Sequence, residues 1–251
     1  FVNAIAIVPP LPLRLMSTGV PSEMRNCSSA ARVWTSFLLP IGGVVVDAGK
    51  FDWTSEQARA RFPEFSSPDP SYHGLVYTQA FGNLAYIIKL RVQLLRDLGP
   101  ALSPFNAWVL LKGLETLKLR VEAQSLAAAA VAEALASTKG VERVYYPHHD
   151  THAQVKLARS QMKMGGTMVS FNVAGGKAKA FDVLRKLGII DISNNLGDAK
   201  SLITHPATTT HRNIGPEARA MMGISDGNLR LSVGLEDVDD LVRDLKQALS
   251  A

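Results

Sequence analysis

Arg230 stands in the run Asn228-Leu229-Arg230-Leu231-Ser232-Val233-Gly234. Strand alternation would point Arg230 and Ser232 to one face and Leu229, Leu231 and Val233 to the other. An arginine so placed has two readings: a solvated edge residue, or a planar fork that grips a carboxylate through two parallel hydrogen bonds. The residues alone leave these readings even. A second segment, Asn195-Leu196-Gly197-Asp198-Ala199-Lys200-Ser201-Leu202, is rich in turn formers and runs into Ile203-Thr204-His205-Pro206-Ala207-Thr208-Thr209-Thr210-His211. Its glycine permits close backbone approach to a ligand, and its amides and hydroxyls offer hydrogen bonds without committing a charge. Taken alone, such a stretch reads first as a capped loop between strands, since Asn, Asp and Gly are common turn formers. His205 and His211 have no carboxylate or cysteine placed to complete a metal set, so no metal site is expected there. Cys27, in Asn26-Cys27-Ser28, has no histidine in a matched context to make it a catalytic thiol.

These residues need elements to hold them. After Gly140, strands and helices alternate: strands at 141–146, 166–173, 189–193, 201–203 and 229–233, helices at 152–162, 176–187, 216–222 and 237–249. Alternation on that scale predicts an α/β sandwich, one sheet covered by helices. Upstream, Gly42 to Gly49 reads as a short buried strand closed by a turn. Prolines 63, 68 and 70 with Gly74 break regular structure between Phe51 and Tyr77. Residues 81–98 are helical by apolar spacing and stop at Gly99-Pro100. Ser103-Pro104 opens a long helix that runs through the alanine-rich 127–136 to Lys139-Gly140. A domain boundary is expected inside that helix, near Glu122. Residues 1–40 show no sustained period and carry Pro9, Pro10, Pro12, Pro21 and Pro40.

Composition narrows the classes. With 251 residues, 47% hydrophobic and 20% charged, the chain has the texture of a globular protein rather than of a disordered one. A net charge of +5 permits nucleic-acid binding, but the Lys and Arg residues are scattered among Asp and Glu with no basic run, so no nucleic-acid partner is expected. No stretch approaches about 18 unbroken apolar residues, so no membrane span is expected. The single cysteine excludes an internal disulfide framework and, with no plausible signal peptide, suggests the cytoplasm.

A resemblance settles what spacing leaves open. Gly42-Gly43-Val44-Val45-Val46-Asp47-Ala48-Gly49-Lys50-Phe51-Asp52-Trp53, Pro68-Asp69-Pro70-Ser71-Tyr72-His73-Gly74, Leu102-Ser103-Pro104-Phe105-Asn106-Ala107-Trp108 with Gly113-Leu114-Glu115-Thr116-Leu117, the 195–211 segment, and Leu229-Arg230-Leu231-Ser232-Val233-Gly234-Leu235-Glu236-Asp237 occur in this order. Together they closely resemble the cysteine and methionine metabolism family of pyridoxal-phosphate enzymes. Within it, the Phe51 to Gly74 stretch and the Gly-Asp-Ala-Lys-Ser block look like the O-acetylhomoserine sulfhydrylase branch, and His205 to His211 is also similar to the O-succinylhomoserine branch. The resemblance covers roughly residue 41 to the end.

It implies the C-terminal part of a fold type I, aspartate-aminotransferase-like α/β subunit. Residues 1–40 would be an irregular or non-homologous segment, 41–121 a remnant of the larger cofactor-binding domain, and 122–251 the complete small domain. It further implies pyridoxal 5'-phosphate as cofactor and homocysteine formation from O-acetylhomoserine or O-succinylhomoserine and sulfide, in a homotetramer built as a dimer of dimers. A cystathionine-forming or cystathionine-cleaving enzyme and a non-catalytic partner subunit are the alternatives. By the resemblance Arg230 grips the substrate α-carboxylate, Asn195 lies beside it, and Ser29 falls where the family touches the cofactor phosphate.

The pattern breaks at one place. The family's cofactor lysine stands in a Ser-x-Thr-Lys motif shortly before the glycine pair matched by Gly42-Gly43. Aligned without gaps, that position is Arg32, and the first lysine of the chain is Lys50. A guanidinium stays protonated and cannot form the Schiff base. Either residues 1–39 are foreign to the family, which the abrupt loss of pattern favours, or the chain is a lysine-less relative. On both accounts this polypeptide alone is expected not to turn over substrate.

Overall fold

The computed structural model describes residues 5–6, 28–31 and 44–250, and the chain divides into two compact units, Phe1–Lys112 and Gly113–Ala251. In the first unit, β1 (Ile5–Ala6), β2 (Ser28–Ala31) and β3 (Val44–Asp47) form an antiparallel sheet in the order β1-β3-β2, with Ser29 paired to Val46. Arg32 and Cys27 lie outside the described residues.

The stretch expected to be broken by prolines contains a helix, α1 (Glu56–Arg61). Its signal was present in the sequence: Ser55 accepts a hydrogen bond from the Ala58 amide as an N-cap, Glu56 faces the positive helix end, and Arg59 and Arg61 close the last turn. The expected helix from Phe81 is also divided. α2 (Tyr77–Phe81) ends where Gly82 adopts φ 52°, and the chain resumes through α3 (Ala85–Lys89), a wide π turn at Leu90–Leu95 and α4 (Arg96–Leu98). Gly99, at φ 69°, stops it as expected. Trp53, Phe65, Tyr77 and Ala85 make a buried cluster, with Trp53 stacked on Tyr86 at 5.6 Å.

The long helix is two helices. α5 (Pro104–Glu115) and α6 (Leu117–Ala136) are separated at Thr116, whose φ of −106° and ψ of 4° interrupt the run. α5 buries none of its residues, and Phe105, Trp108 and Leu111 are exposed along it.

The second unit carries a mixed sheet in the order β4-β5-β8-β7-β6, from β4 (Val141–Tyr145), β5 (Met168–Val173), β6 (Asp191–Ile192), β7 (Leu202–Thr204) and β8 (Asn228–Ser232). All its pairings are antiparallel except β6 with β7. α7 (Val155–Gln161), α8 (Gly176–Lys186), α9 (Gly215–Met221) and α10 (Val238–Ser250) complete the unit. Val169, Phe171 and Val173 of β5 with Leu229, Leu231 and Val233 of the β8 segment form a core against Ala128, Val131, Ala132 and Leu135 of α6, Ala180, Val183 and Leu184 of α8, and Leu241, Leu245 and Ala248 of α10. Burying each of the larger aliphatic side chains contributes about 1.5–3 kcal/mol. Small alanines on α6 let its backbone approach the sheet. Alternation then fixes the other face: with the odd-numbered residues of β5 and β8 in the core, Ser170, Asn172, Asn228, Arg230 and Ser232 all point away from it. Among the described residues no helix is long and apolar enough to cross a membrane.

Candidate functional site

Arg230 sits at the middle of that polar face. Across the sheet it is paired with Ser170 on β5 and Thr204 on β7. It is half-buried, and its Nη2 donates to the carbonyl of Asn194 at 2.8 Å. Burial pushes its pKa below the usual arginine value, because desolvation disfavours the charged form. A guanidinium starts so high that it stays charged at neutral pH. No carboxylate among the described residues forms an ion pair with it, so a charged fork is held in place with most of its donors uncommitted.

The loop that supplies Asn194 is clamped from several sides. Gly197, at φ 78°, donates its amide to Ser232 Oγ at 2.9 Å, and Gln124 Nε2 donates to the carbonyl of buried Asp198 at 2.6 Å. Glu236 accepts from the Ser201 amide at 2.6 Å and from Ser201 Oγ at 2.8 Å, while Ser201 Oγ accepts from the Gly234 amide at 2.8 Å. Gly234 is required by contact: a Cβ there would overlap the Lys200–Ser201 peptide and the Glu236 carboxylate. The structural reading of the 195–201 segment is therefore substantiated in detail, and what the clamp positions is the backbone beside Arg230.

Asn195 is exposed, and its amide donates to Ser193 Oγ at 3.3 Å. The residue whose carbonyl reaches Arg230 is its neighbour, Asn194. On the polar face a chain of contacts continues from Arg230's strand partner: Ser170 Oγ and Asn172 Oδ1 both accept from Asn228 Nδ2, at 3.1 and 2.8 Å, and Asn172 Nδ2 donates to Tyr145 Oη at 3.3 Å. Asn194, Ser170 and Thr204 carry no local sequence signal that marks them as neighbours of Arg230. The signal for Ser170 and Thr204 is strand register, which one chain's residue pattern does not display.

His205 is buried, with both ring nitrogens in use. Nε2 donates to the Asp226 carbonyl at 2.8 Å, since a carbonyl can only accept, and Nδ1 lies 2.9 Å from Thr208 Oγ1. His211 Nδ1 is 2.8 Å from Thr210 Oγ1. Among the described residues, no group of three or more His, Cys, Asp or Glu side chains could hold a metal ion.

In the first unit, Asp69 accepts from Lys89 Nζ at 2.7 Å, Ser71 Oγ at 2.6 Å and Gln93 Nε2 at 2.5 Å. Lys89, then Ser71, hold the Asp69 carboxyl far below the usual carboxylate range, and Lys89 also lies 4.5 Å from the centre of the Tyr77 ring. Lys89 is thus tied into an ion pair with Asp69 and held against the Tyr77 ring.

Residues 39–250 match the model of the family described as Cys/Met metabolism PLP-dependent enzymes. The chain belongs to that family. Among curated members, it is 45% identical over 220 residues to an O-acetyl-L-homoserine sulfhydrylase of Leptospira meyeri, covering 83% of this chain and 49% of the relative. It is 54% identical over 175 residues to an O-succinylhomoserine sulfhydrylase of Mycobacterium tuberculosis, covering 67% and 43%. A crystal structure described as an O-acetylhomoserine (thiol)-lyase from Campylobacter jejuni, with a pyridoxyl-lysine phosphate, superposes with a TM-score of 0.77 at 37% identity, over 84% of this chain and 50% of that one. The chain spans about half the length of the curated relatives it matches. The expected α/β fold, that of the C-terminal part of this Cys/Met metabolism family's subunit, holds.

Family membership brings pyridoxal phosphate, and among the described residues of the first unit no lysine stands in an arrangement that fits its covalent attachment. The first unit's lysines among the described residues are Lys50, Lys89 and Lys112. Lys50 is exposed after the β3 strand, Lys89 is held by Asp69, and Lys112 is engaged elsewhere. Ser29 is placed on β2 opposite Val46, with no described lysine next to it in sequence.

Proposed function

We propose that this chain carries the substrate-carboxylate half of a homocysteine-forming sulfhydrylase, with Arg230 as the group that grips the α-carboxylate of an O-acylhomoserine. The observation that carries this reading is the state of Arg230: half-buried, oriented by a single carbonyl, unpaired with any described carboxylate, and set on the polar face of a rigid sheet. A half-buried cation without a counter-ion is partly desolvated at a cost in free energy, and a ligand carboxylate docking on the fork in two parallel bonds relieves that cost. Asn195, exposed one residue beyond the carbonyl that holds Arg230, offers an amide to the same ligand end. In the intact family fold the reaction exchanges the γ-acyloxy group of O-acetylhomoserine or O-succinylhomoserine for sulfide, releasing the carboxylate and leaving homocysteine. Pyridoxal phosphate supplies the electron sink for such chemistry, and no step through it is assigned to this chain's residues.

The remaining expectations belong to the same proposal. Residues 41–121 represent the cofactor-domain remnant and 122–251 the small domain. The protein works in the cytoplasm as a dimer of dimers, and the uncovered apolar side of α5 supports an assembly with further protein against it.

The test is calorimetric titration of the purified chain with O-acetyl-L-homoserine, and with homoserine amide lacking the carboxylate. We expect binding of the carboxylate ligand, no binding of the amide, and loss of the former in Arg230→Ala with partial retention in Arg230→Lys. Equal binding by the parent chain and Arg230→Ala rules the assignment out.

A further inference from the structure

The carbonyl that holds Arg230 belongs to a residue whose own side chain is tied down, and that tie leads to the strand beside Arg230. Thr204 is fully buried at the end of β7, next to the apolar Leu202 and Ile203. Its hydroxyl donates to Asn194 Oδ1 at 2.7 Å and lies 3.0 Å from Thr209 Oγ1, which in turn donates to the His205 carbonyl at 2.8 Å. Thr204 is also the register partner of Arg230 across the β7–β8 pair. Asn194 therefore closes a ring. Its side chain is fixed by the residue opposite Arg230, and its backbone carbonyl accepts from Arg230 Nη2 at 2.8 Å. A hydroxyl in so buried a position needs its partners, since an unmade hydrogen bond there costs its desolvation. Thr204 shares the face of Arg230, where a valine would fill the same space, so the hydroxyl calls for an explanation beyond packing.

We propose that Asn194 is a positioning residue for Arg230, with the Thr204 hydroxyl holding its side chain. This tie anchors one guanidinium N–H on the Asn194 carbonyl and so presents the rest of the fork to the substrate carboxylate in one orientation. This rests on the reading of Arg230 as the carboxylate-binding residue and adds the cause of its geometry. Preorganisation of this kind raises affinity by removing the rotamer freedom that a free arginine would lose on binding.

The experiment is nitrogen-15 NMR of the full chain with labelled arginine, following the Arg230 Nε–H signal with and without O-acetyl-L-homoserine. Asn194→Ala keeps the carbonyl and cuts the side-chain tie; Thr204→Val cuts it from the other end; Thr204→Ser restores the hydroxyl. Without ligand, Asn194→Ala and Thr204→Val are expected to turn a restrained Arg230 Nε–H into a mobile one, with Thr204→Ser behaving as the parent. With ligand, affinity is expected to fall roughly fivefold in the first two, about the worth of one hydrogen bond. An Arg230 signal equally restrained in Asn194→Ala and in the parent overturns the proposal, as does equal ligand affinity in all variants when the parent binds. Loss of restraint in the variants of a parent that shows no response to ligand leaves the positioning role standing and removes the carboxylate assignment. Asn194 is exposed, so Asn194→Ala leaves the core untouched and remains readable even if Thr204→Val fails to fold.

Discussion

Asp244→Asn isolates one buried carboxylate on which the closing helix of the second unit depends. Asp244 is buried on α10 and receives the amides of Gly188 at 2.8 Å, Ile189 at 2.9 Å and Ile190 at 3.2 Å, with Gln247 Nε2 at 3.1 Å. It thus pins the turn after α8 to α10. Gly188 and Gln247 bond to Oδ1, Ile189 and Ile190 to Oδ2. Asparagine offers one acceptor atom and one NH2 group, so one set of donors is left facing another donor. With a hydrogen bond to a charged acceptor worth about 1.5–3 kcal/mol, the expected loss is about 2–3 kcal/mol at pH 7. For a chain of this size that corresponds to a fall in Tm of roughly 4–12 °C.

The pH dependence follows from the same contacts. Burial alone would raise the Asp244 pKa, but the Gly188 and Ile189 amides, Gln247 and the Ile190 amide together outweigh it and hold the carboxyl below its ordinary value. A depressed carboxylate pKa contributes stability above the unfolded value, about 3.9, and loses it as pH falls through the folded value. The gap between parent and variant should be complete at pH 7 and shrink below about pH 4. Urea unfolding followed by far-ultraviolet circular dichroism at several pH values measures it. Hydrogen exchange at the Gly188, Ile189 and Ile190 amides shows whether the loss is local. An unchanged midpoint at pH 7, or a gap as wide at pH 3 as at pH 7, refutes the argument.

Gly234→Ala should destabilise the chain by about 1–3 kcal/mol, because the added methyl displaces the Lys200–Ser201 peptide, and it should weaken carboxylate binding by moving the loop that carries Asn194. Thermal unfolding and the calorimetric titration read the two effects separately, and a variant with parental Tm would contradict the contact. Incubation with pyridoxal phosphate followed by borohydride reduction and peptide mapping should label no single lysine, and the chain supplied with O-acetyl-L-homoserine and sulfide should release no homocysteine. One lysine modified in stoichiometric yield would show that this chain can anchor the cofactor after all.

Much of the second unit was legible because its signals are local. Apolar alternation marks β5 and β8, glycine marks the end of α8, and the amphipathic spacing from Val238 marks α10; each lies within a few residues of its expected place. The misreadings have physical causes of a different kind. At α1, three nearby prolines mask a good N-cap and a favourable charge order. The break between α5 and α6 leaves no mark in the residues, because Thr116 is tolerated inside helices, and only the backbone shows it. The site divides similarly. Arg230's facing followed from alternation, but its partner Asn194 comes from a loop whose path is set by Glu236, Ser232 and Gln124, distant in sequence.

That division also says where substitutions should matter. The core face of β8 is held by Leu229 and Leu231 against α6, α8 and α10, while Arg230 spends its binding capacity on the opposite face. A sheet anchored this firmly on one side can keep an under-satisfied cation on the other, since the strand does not depend on Arg230 for its place. The clamp residues differ: Ser201, Gly234 and Glu236 hold β7 and β8 together and also fix the end of the loop that carries Asn194. Changes at Leu231 should therefore act on stability, those at Arg230 on binding, and those in the clamp on both together.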